Sequence, residues 1–229
     1  MHYNIKIKYI EDGKINIKEF RIDESDIDEY TTILELLLMI RERYDPKIVL
    51  RYSCRMAMCG SCGMVINGKP NLACLTKVKK LGYKINIEPL RNFKIIRGLV
   101  PDLTPFFAHY KLAEPSIVDD ENLAEPTIQS DEEVKKYLQF NYCIQCGLCY
   151  SACPIYSTNN NFIGPAAITV AYRYTVDSRD RFKSRVRKLD SVNGVWACRL
   201  IGACSKVCPK GVDPSLAIQL TKSILLLNL

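Results

Sequence analysis

The sequence predicts an α+β chain of two domains, a mostly β first hundred residues carrying one helix and an all-α second half. Three observations predict it. Tyr3, Ile5, Ile7 and Tyr9 alternate with polar residues, the period-two pattern of a half-buried strand. Beyond residue 130 the apolar spacing becomes helical. Eleven cysteines fall into three groups, Cys54 to Cys74, Cys143 to Cys153 and Cys198 to Cys208, one group in the first half and two in the second. The resulting limits are a first domain over 1–100, a connector over 101–130 and a second domain over 131–229.

Each element has a local reason. Asp12-Gly13 supplies a hairpin turn, and Ile15 and Ile17 begin the return strand. Thr32 with Glu35 makes a capping box that opens a helix with Ile33, Leu36, Leu37 and Ile40 on its apolar face. The first cysteine group follows, then a short strand Met64-Val65-Ile66, an Asn67-Gly68 turn and a last strand through Tyr83, Ile85 and Ile87. Pro101, Pro105, Pro115 and Pro126 punctuate the connector, which carries acidic Asp119-Asp120-Glu121 and is expected to be helical around Phe106 to Lys111. Ser130 with Glu133 offers a second capping box leading to Cys143. Helices are expected near 165–176, 179–188 and 214–227.

At 229 residues, with 48% hydrophobic and 25% charged residues, the chain has the size and composition of an ordinary globular protein of two small domains. It lacks any stretch of roughly 18 apolar residues that would cross a bilayer. The segment Leu216 to Leu229, interrupted by Gln219, Thr221, Lys222 and Ser223, suits an amphipathic helix. Disulfides are disfavoured, because the cysteine count is odd and the start Met1-His2-Tyr3-Asn4-Ile5-Lys6 is unlike an export signal. A reducing compartment is therefore expected, where clustered cysteines point to metal. The net charge of +7 need not mean nucleic acid, and none is expected as a partner. Metal–thiolate centres on the three cysteine groups would be anionic and offset much of that charge.

The first cysteine group is Cys54-x4-Cys59-x2-Cys62-x11-Cys74. Its first three members have the plant-type [2Fe–2S] spacing. Ala57, Gly60, Ser61 and Gly63 are small enough to let backbone N–H groups approach the sulfurs. Zinc, the competing reading, usually takes two C-x2-C pairs, which this group lacks. The second group, Cys143-x2-Cys146-x2-Cys149-x3-Cys153-Pro154, is the bacterial ferredoxin run. The third, Cys198-x2-Ile201-x2-Cys204-x3-Cys208-Pro209, repeats that spacing with Ile201 where the second cysteine belongs. In two-cluster ferredoxins the fourth cysteine of each run ligates the other cluster. Cys143, Cys146, Cys149 and Cys208 are then expected on a [4Fe–4S] cluster. Cys153, Cys198 and Cys204 are expected on a cluster whose fourth corner faces Ile201. A [3Fe–4S] cluster is the natural product there; a [4Fe–4S] cluster with water or another residue at that corner is the alternative. Four, four and three ligands use every cysteine.

The chain resembles, over nearly its full length, the iron–sulfur subunits of the succinate dehydrogenase and fumarate reductase family (respiratory complex II). In motifs it is closest to quinol:fumarate reductase subunits. The resemblance is carried by Ser53 to Gly63, Leu72-Ala73-Cys74, Cys143 to Cys149, Phe162 to Ala167, Asp177-Ser178-Arg179-Asp180, Asn193-Gly194-Val195-Trp196 and Cys208-Pro209-Lys210-Gly211. It implies a β-grasp, plant-ferredoxin-like first domain and a bacterial two-cluster ferredoxin-like second domain. It also implies an electron path from the FAD of a flavoprotein subunit through [2Fe–2S], [4Fe–4S] and [3Fe–4S] clusters to a quinone held by membrane-anchor subunits. The protein is then a peripheral one on the cytoplasmic face of the cell membrane, with no substrate chemistry of its own.

Ubiquinone-linked members of that family place tryptophans after the Cys-Pro step and a histidine after the first cysteine of the third group. Here Pro154 is followed by Ile155-Tyr156-Ser157-Thr158, and Arg199 follows Cys198. Lys222 matches a lysine that lines the quinone site of menaquinone-linked members, with Gln219 a turn before it. Pro154, Arg199, Gln219 and Lys222 are therefore assigned to the quinone's surroundings, and a menaquinone-type quinone is expected; a solvated helix lysine is the other reading of Lys222. Trp196 either shields a cluster or packs in a core. The basic run Arg179 to Lys188 is expected to be a solvated helix face, with docking to a partner or to lipid headgroups as the alternative, and His2 and His109 are expected to be structural or incidental. A soluble, thiol-linked fumarate reductase subunit is the competing function. A zinc scaffold or nucleic-acid binder would lack acid-labile sulfide.

Overall fold

The computed structural model describes residues 1–118, 127–181 and 183–227, with the side chains of Lys183 and Ser184 left aside. The acidic triplet Asp119-Asp120-Glu121 and Pro126 of the connector lie outside the described residues. Contacts divide the chain into two compact units. The first comprises Met1–Leu103 with Ile144–Ala152, and the second Thr104–Cys143 with Cys153–Leu229.

The first unit is built on a mixed sheet of five strands in the order β2-β1-β5-β3-β4. β1 (His2–Glu11) and β2 (Lys14–Asp23) form the hairpin around Asp12 and Gly13, whose φ values of 51° and 73° are those a two-residue turn demands. β3 (Gly63–Ile66) and β4 (Lys69–Leu72) repeat the device at Asn67-Gly68. β5 (Lys84–Glu88) runs parallel to β1 and antiparallel to β3. A small pair, β6 (Ile95–Arg97) and β7 (Val100–Pro101), completes the unit's strands among the described residues. Helix α1 (Ile33–Arg43) starts at the Thr32–Glu35 capping box and buries Ile33, Leu34, Leu36, Leu37 and Ile40. With Ile5 and Ile7 of β1, Val65 of β3 and Ile85 and Ile87 of β5, these side chains make the core.

The return strand forms, yet Ile15 and Ile17 are 63% and 54% exposed. The register explains it. Tyr3, Ile5, Ile7 and Tyr9 face the core and pair with Ile22, Phe20, Lys18 and Asn16, so the odd positions of β2 point outward. Lys18 consequently points inward on an edge strand. It is bound by the buried carboxylate of Asp45, and its ammonium lies 5.6 Å from the Tyr9 ring. An inward charge of this kind protects an edge from pairing with another chain.

The second unit is helical among its described residues. Thr104–Leu112 is the first helix, and Asp131–Lys135 follows the Ser130–Glu133 capping box. Pro165–Thr175 packs along Pro214–Leu227, and Phe140, Tyr172, Val212 and Ala217 form the core cluster between and beside them. The helix expected over 179–188 is replaced by a 3₁₀ stretch over Lys183–Leu189. The basic run is not a solvated face throughout: Arg185 is fully buried. It pairs with buried Asp180 and donates to the carbonyls of Glu114 (3.0 Å) and Ser116 (2.8 Å). Asp180 accepts the N–H of Val118 at 3.0 Å, and Lys188 reaches the Glu114 carboxylate at 2.6 Å. Arg185 and Lys188 of the basic run, with Asp180 between its arginines, therefore tie the segment 114–118 down.

Candidate metal centres

The loop from Cys54 to Cys62 has no regular secondary structure and wraps its N–H groups around sulfur. Met56, Met58 and Cys59 donate to Cys54 Sγ at 3.4, 3.3 and 3.3 Å. Cys54 donates to Cys59 Sγ at 3.5 Å, and Ala57 to Cys74 Sγ at 3.2 Å. Cys62 and Cys74, both buried, hold their sulfurs 3.4 Å apart. Arg55 and Ala57 sit in the left-handed region at φ 58°, a conformation that costs an L-residue roughly 1–2 kcal/mol. Strain of that kind clusters at functional sites. The donor set is what a [2Fe–2S] cluster with four thiolates asks for.

Two influences act on these thiols. Around Cys59, partial burial opposes ionisation, but hydrogen bonds from Ser61 and Cys54 outweigh it and bring the thiol down to about 6. Burial pushes the Cys62 thiol up to about 12. A deeply placed thiol ionises readily once a metal supplies the compensating charge.

The second and third cysteine groups share one backbone form. In each, a 3₁₀ turn (Leu138–Tyr142, Val195–Ala197) ends at an extended cysteine, Cys143 or Cys198. Two residues on, Gln145 and Leu200 both take φ 55°. Two residues further, Gly147 and Gly202 take φ 76° and 75°. A short helix follows in each, Leu148–Ala152 and Ala203–Lys206. Cys146 and Ile201 occupy the same place between the two left-handed residues. Ile201 is 55% exposed, so the side chain is not there to fill a core.

The second unit brings Cys153, Cys198, Cys204 and Ile201 to a single cavity, with Pro154 and Arg199 also on its wall. Burial raises the Cys153 thiol and pushes that of Cys204 up to about 11. Tyr156 N–H donates to Cys153 Sγ, and Leu200 N–H to Cys198 Sγ, both at 3.4 Å. Lys222 is not a freely solvated helix lysine. Its Nζ donates to the Cys198 carbonyl at 2.8 Å and lies 5.6 Å from the Trp196 ring, whose indole N–H is bound by Asp190 at 2.6 Å. Gln219, one turn before, faces solvent.

Within the first unit, Cys146 and Cys149 lie on and after the loop that approaches Gly60. In the second, Cys143 closes its 3₁₀ turn and Cys208 packs beside the core cluster. Exposed His2 pairs with Asp23 at 2.7 Å, and half-buried His109 meets the Tyr156 ring edge-on at 6.0 Å. Sequence reasoning missed the hydroxyl of Ser61 against Cys59 and the grip of Lys222 on the Cys198 carbonyl. A hydroxyl residue inside a C-x2-C step was the available signal for the first; nothing local signals the second.

Comparisons with known proteins agree with this geometry. Residues 5–108 match the family described as 2Fe-2S iron-sulfur cluster binding domain, and residues 139–212 the 4Fe-4S dicluster domain. The fumarate reductase iron-sulfur subunit of Haemophilus influenzae is 45% identical, over 84% of this chain and 80% of its own length. The succinate dehydrogenase iron-sulfur subunit of Coxiella burnetii is 40% identical, over 91% of this chain and 89% of its own. A chain of the Mycobacterium smegmatis Sdh1 complex in the apo form superposes with a TM-score of 0.86 at 23% identity, over 99% of this chain and 96% of that one, a shared fold. The chain belongs to the family of iron–sulfur subunits of succinate dehydrogenase and fumarate reductase.

Proposed function

We propose that this subunit carries electrons between the FAD of a flavoprotein subunit and a membrane quinone, through a [2Fe–2S], a [4Fe–4S] and a [3Fe–4S] cluster. The observation that carries the reading is Ile201, set in the backbone form that surrounds Cys146 but offering iron no ligand. Such clusters, when bound, take up and release single electrons. The chain's own residues fix where each one is held. Cys54, Cys59, Cys62 and Cys74 hold the first in a cage of backbone N–H donors. Cys143, Cys146, Cys149 and Cys208 hold the second. Cys153, Cys198 and Cys204 hold the third, and Ile201 leaves its fourth corner without a thiolate.

On this reading residues 1–100 form a β-grasp domain, 101–130 a connector and 131–229 an all-α dicluster domain. Pro154, Arg199, Gln219 and Lys222 border the quinone, of menaquinone type. The grouping of Pro154 and Arg199 with the third cysteine group supports that assignment, as does the bond from Lys222 to the Cys198 carbonyl. No helix among the described residues is long and apolar enough to cross a membrane. Attachment is assigned to anchor subunits on the cytoplasmic face.

Low-temperature EPR of the anaerobically purified complex tests the reading. The oxidised protein is expected to show a near-isotropic three-iron signal that vanishes on reduction, while reduced [2Fe–2S] and [4Fe–4S] signals appear. Ile201→Cys is expected to replace the three-iron signal by that of a four-iron cluster of lower potential. An unchanged three-iron signal in that variant refutes the vacant corner. Absence of the signal in iron-replete native protein refutes the [3Fe–4S] assignment.

A further inference from the structure

Ser61 Oγ lies 3.0 Å from Cys59 Sγ. Either atom of a free thiol and hydroxyl pair can donate, but an iron-bound thiolate has no proton to give. Once Cys59 is a ligand, the hydrogen between the two must come from Ser61.

The backbone that carries that hydroxyl is hemmed in on both sides. Gly60, at φ 71°, is pressed so closely on Cys146 that an added Cβ would stand 2.8 Å from Cys146 Cβ. Cys62 is buried, and a Cβ on Gly63 would stand 3.3 Å from both the Cys146 carbonyl oxygen and Leu148. Residue 61 thus has little backbone freedom. The donors to Cys54 and Cys74 described above are backbone N–H groups that any side chain would leave in place. Ser61 Oγ is different: it exists only because residue 61 is serine.

Reduction adds negative charge that is shared by the cluster's sulfurs. A donor on one of those sulfurs gains strength as the charge grows, so it favours the reduced form. We propose that Ser61 is a positioning residue that raises the reduction potential of the [2Fe–2S] cluster by donating its hydroxyl hydrogen to Cys59 Sγ. The inference rests on the reading of Cys54, Cys59, Cys62 and Cys74 as the ligands of that cluster.

The test is an EPR-monitored redox titration of the purified complex carrying Ser61→Ala, with Ser61→Thr as the hydroxyl-keeping control. Ser61→Ala is expected to lower the equilibrium constant for [2Fe–2S] reduction about tenfold, equivalent to about 59 mV for one electron. Ser61→Thr is expected to stay near the native value, and the other clusters to keep theirs. If Ser61→Ala loads poorly, Ser61→Gly removes the same hydroxyl and is expected to show the same shift. A native potential in the hydroxyl-free variants, or an equal fall in the threonine variant, overturns the proposal. A native complex that gives no reduced [2Fe–2S] signal at full iron content instead overturns the ligand reading on which it rests.

Discussion

A single methyl group placed on Gly60 meets two separate obstacles. The first is conformational. Gly60 has φ 71°, and an L-residue held there costs roughly 1–2 kcal/mol. The second is steric. The new Cβ would stand 2.8 Å from Cys146 Cβ, 2.9 Å from the Ile144 carbonyl oxygen and 3.0 Å from Cys146 Cα. Carbon atoms sit comfortably at about 3.5–4.0 Å, and none of these three neighbours is the movable end of a side chain. Overpacking of that kind costs about 1–3 kcal/mol. Gly60→Ala is therefore expected to destabilise the first unit by about 2–5 kcal/mol.

Gly68→Ala separates the two contributions. Gly68 has φ 80° and nothing within 4 Å of the added Cβ, so it meets the conformational cost alone. Urea unfolding of the two variants, followed by circular dichroism, is expected to put Gly60→Ala below Gly68→Ala by the steric part, about 1–3 kcal/mol. Iron content is expected to fall with it, because the displaced backbone runs directly from Cys59 to Cys62. Equal midpoints for the two variants would refute the close approach of the cysteine loop to the segment 144–146.

Three further outcomes are expected. Arg185→Ala leaves buried Asp180 uncompensated and strips the Glu114 and Ser116 carbonyls of their donor, so denaturant unfolding should show a loss of about 3–5 kcal/mol. For Asp45, burial opposes ionisation, but the hydrogen bonds from Lys18 and from Lys47 N–H prevail and hold its pKa below 3.8. The hydrogen bond that Lys18 donates to Asp45 holds the lysine above 10.5. The pair's stabilisation is then full between those two values, lost as pH falls through the depressed Asp45 value and lost again as pH rises through the elevated Lys18 value. Thermal melts across pH should show Lys18→Met flattening both shoulders, and unchanged shoulders would argue against the pair. Cys153→Ser should abolish the three-iron EPR signal while sparing the four-iron one, although Cys153 is written in the second run; loss of the four-iron signal alone would reverse the assignment.

The elements legible in the sequence are those fixed by nearby residues. Asp12-Gly13 and Asn67-Gly68 demand their turns, and Thr32 with Glu35 and Ser130 with Glu133 cap their helices by bonds three residues long. The face of β2 was not legible, because period two says that residues alternate and not which set looks inward. That choice follows from pairing with β1, where Lys8 rather than Ile7 stands opposite Ile17. The basic run failed for a related reason. Arg179 to Lys188 has the composition of a solvated helix, and nothing nearby says that Arg185 will reach carbonyls some seventy positions earlier in the chain.

The two ferredoxin-type runs show where the identity of a site resides. If the thiolate of Cys146 shaped its loop, the loop around Ile201 would be free to relax into another form. It does not: Leu200, a residue with no intrinsic reason to be left-handed, takes the φ of 55° that Gln145 takes, and Gly202 follows Gly147 within a degree. The conformation therefore comes from the 3₁₀ lead-in, the glycine and the helix that follows, and not from a ligand at that corner. On the proposed assignment, one side chain then decides whether the third site offers iron three thiolates or four. A cysteine put back at position 201 enters a backbone already set to receive it, so a failure of Ile201→Cys to change the cluster cannot be blamed on the loop and would count directly against the three-iron reading.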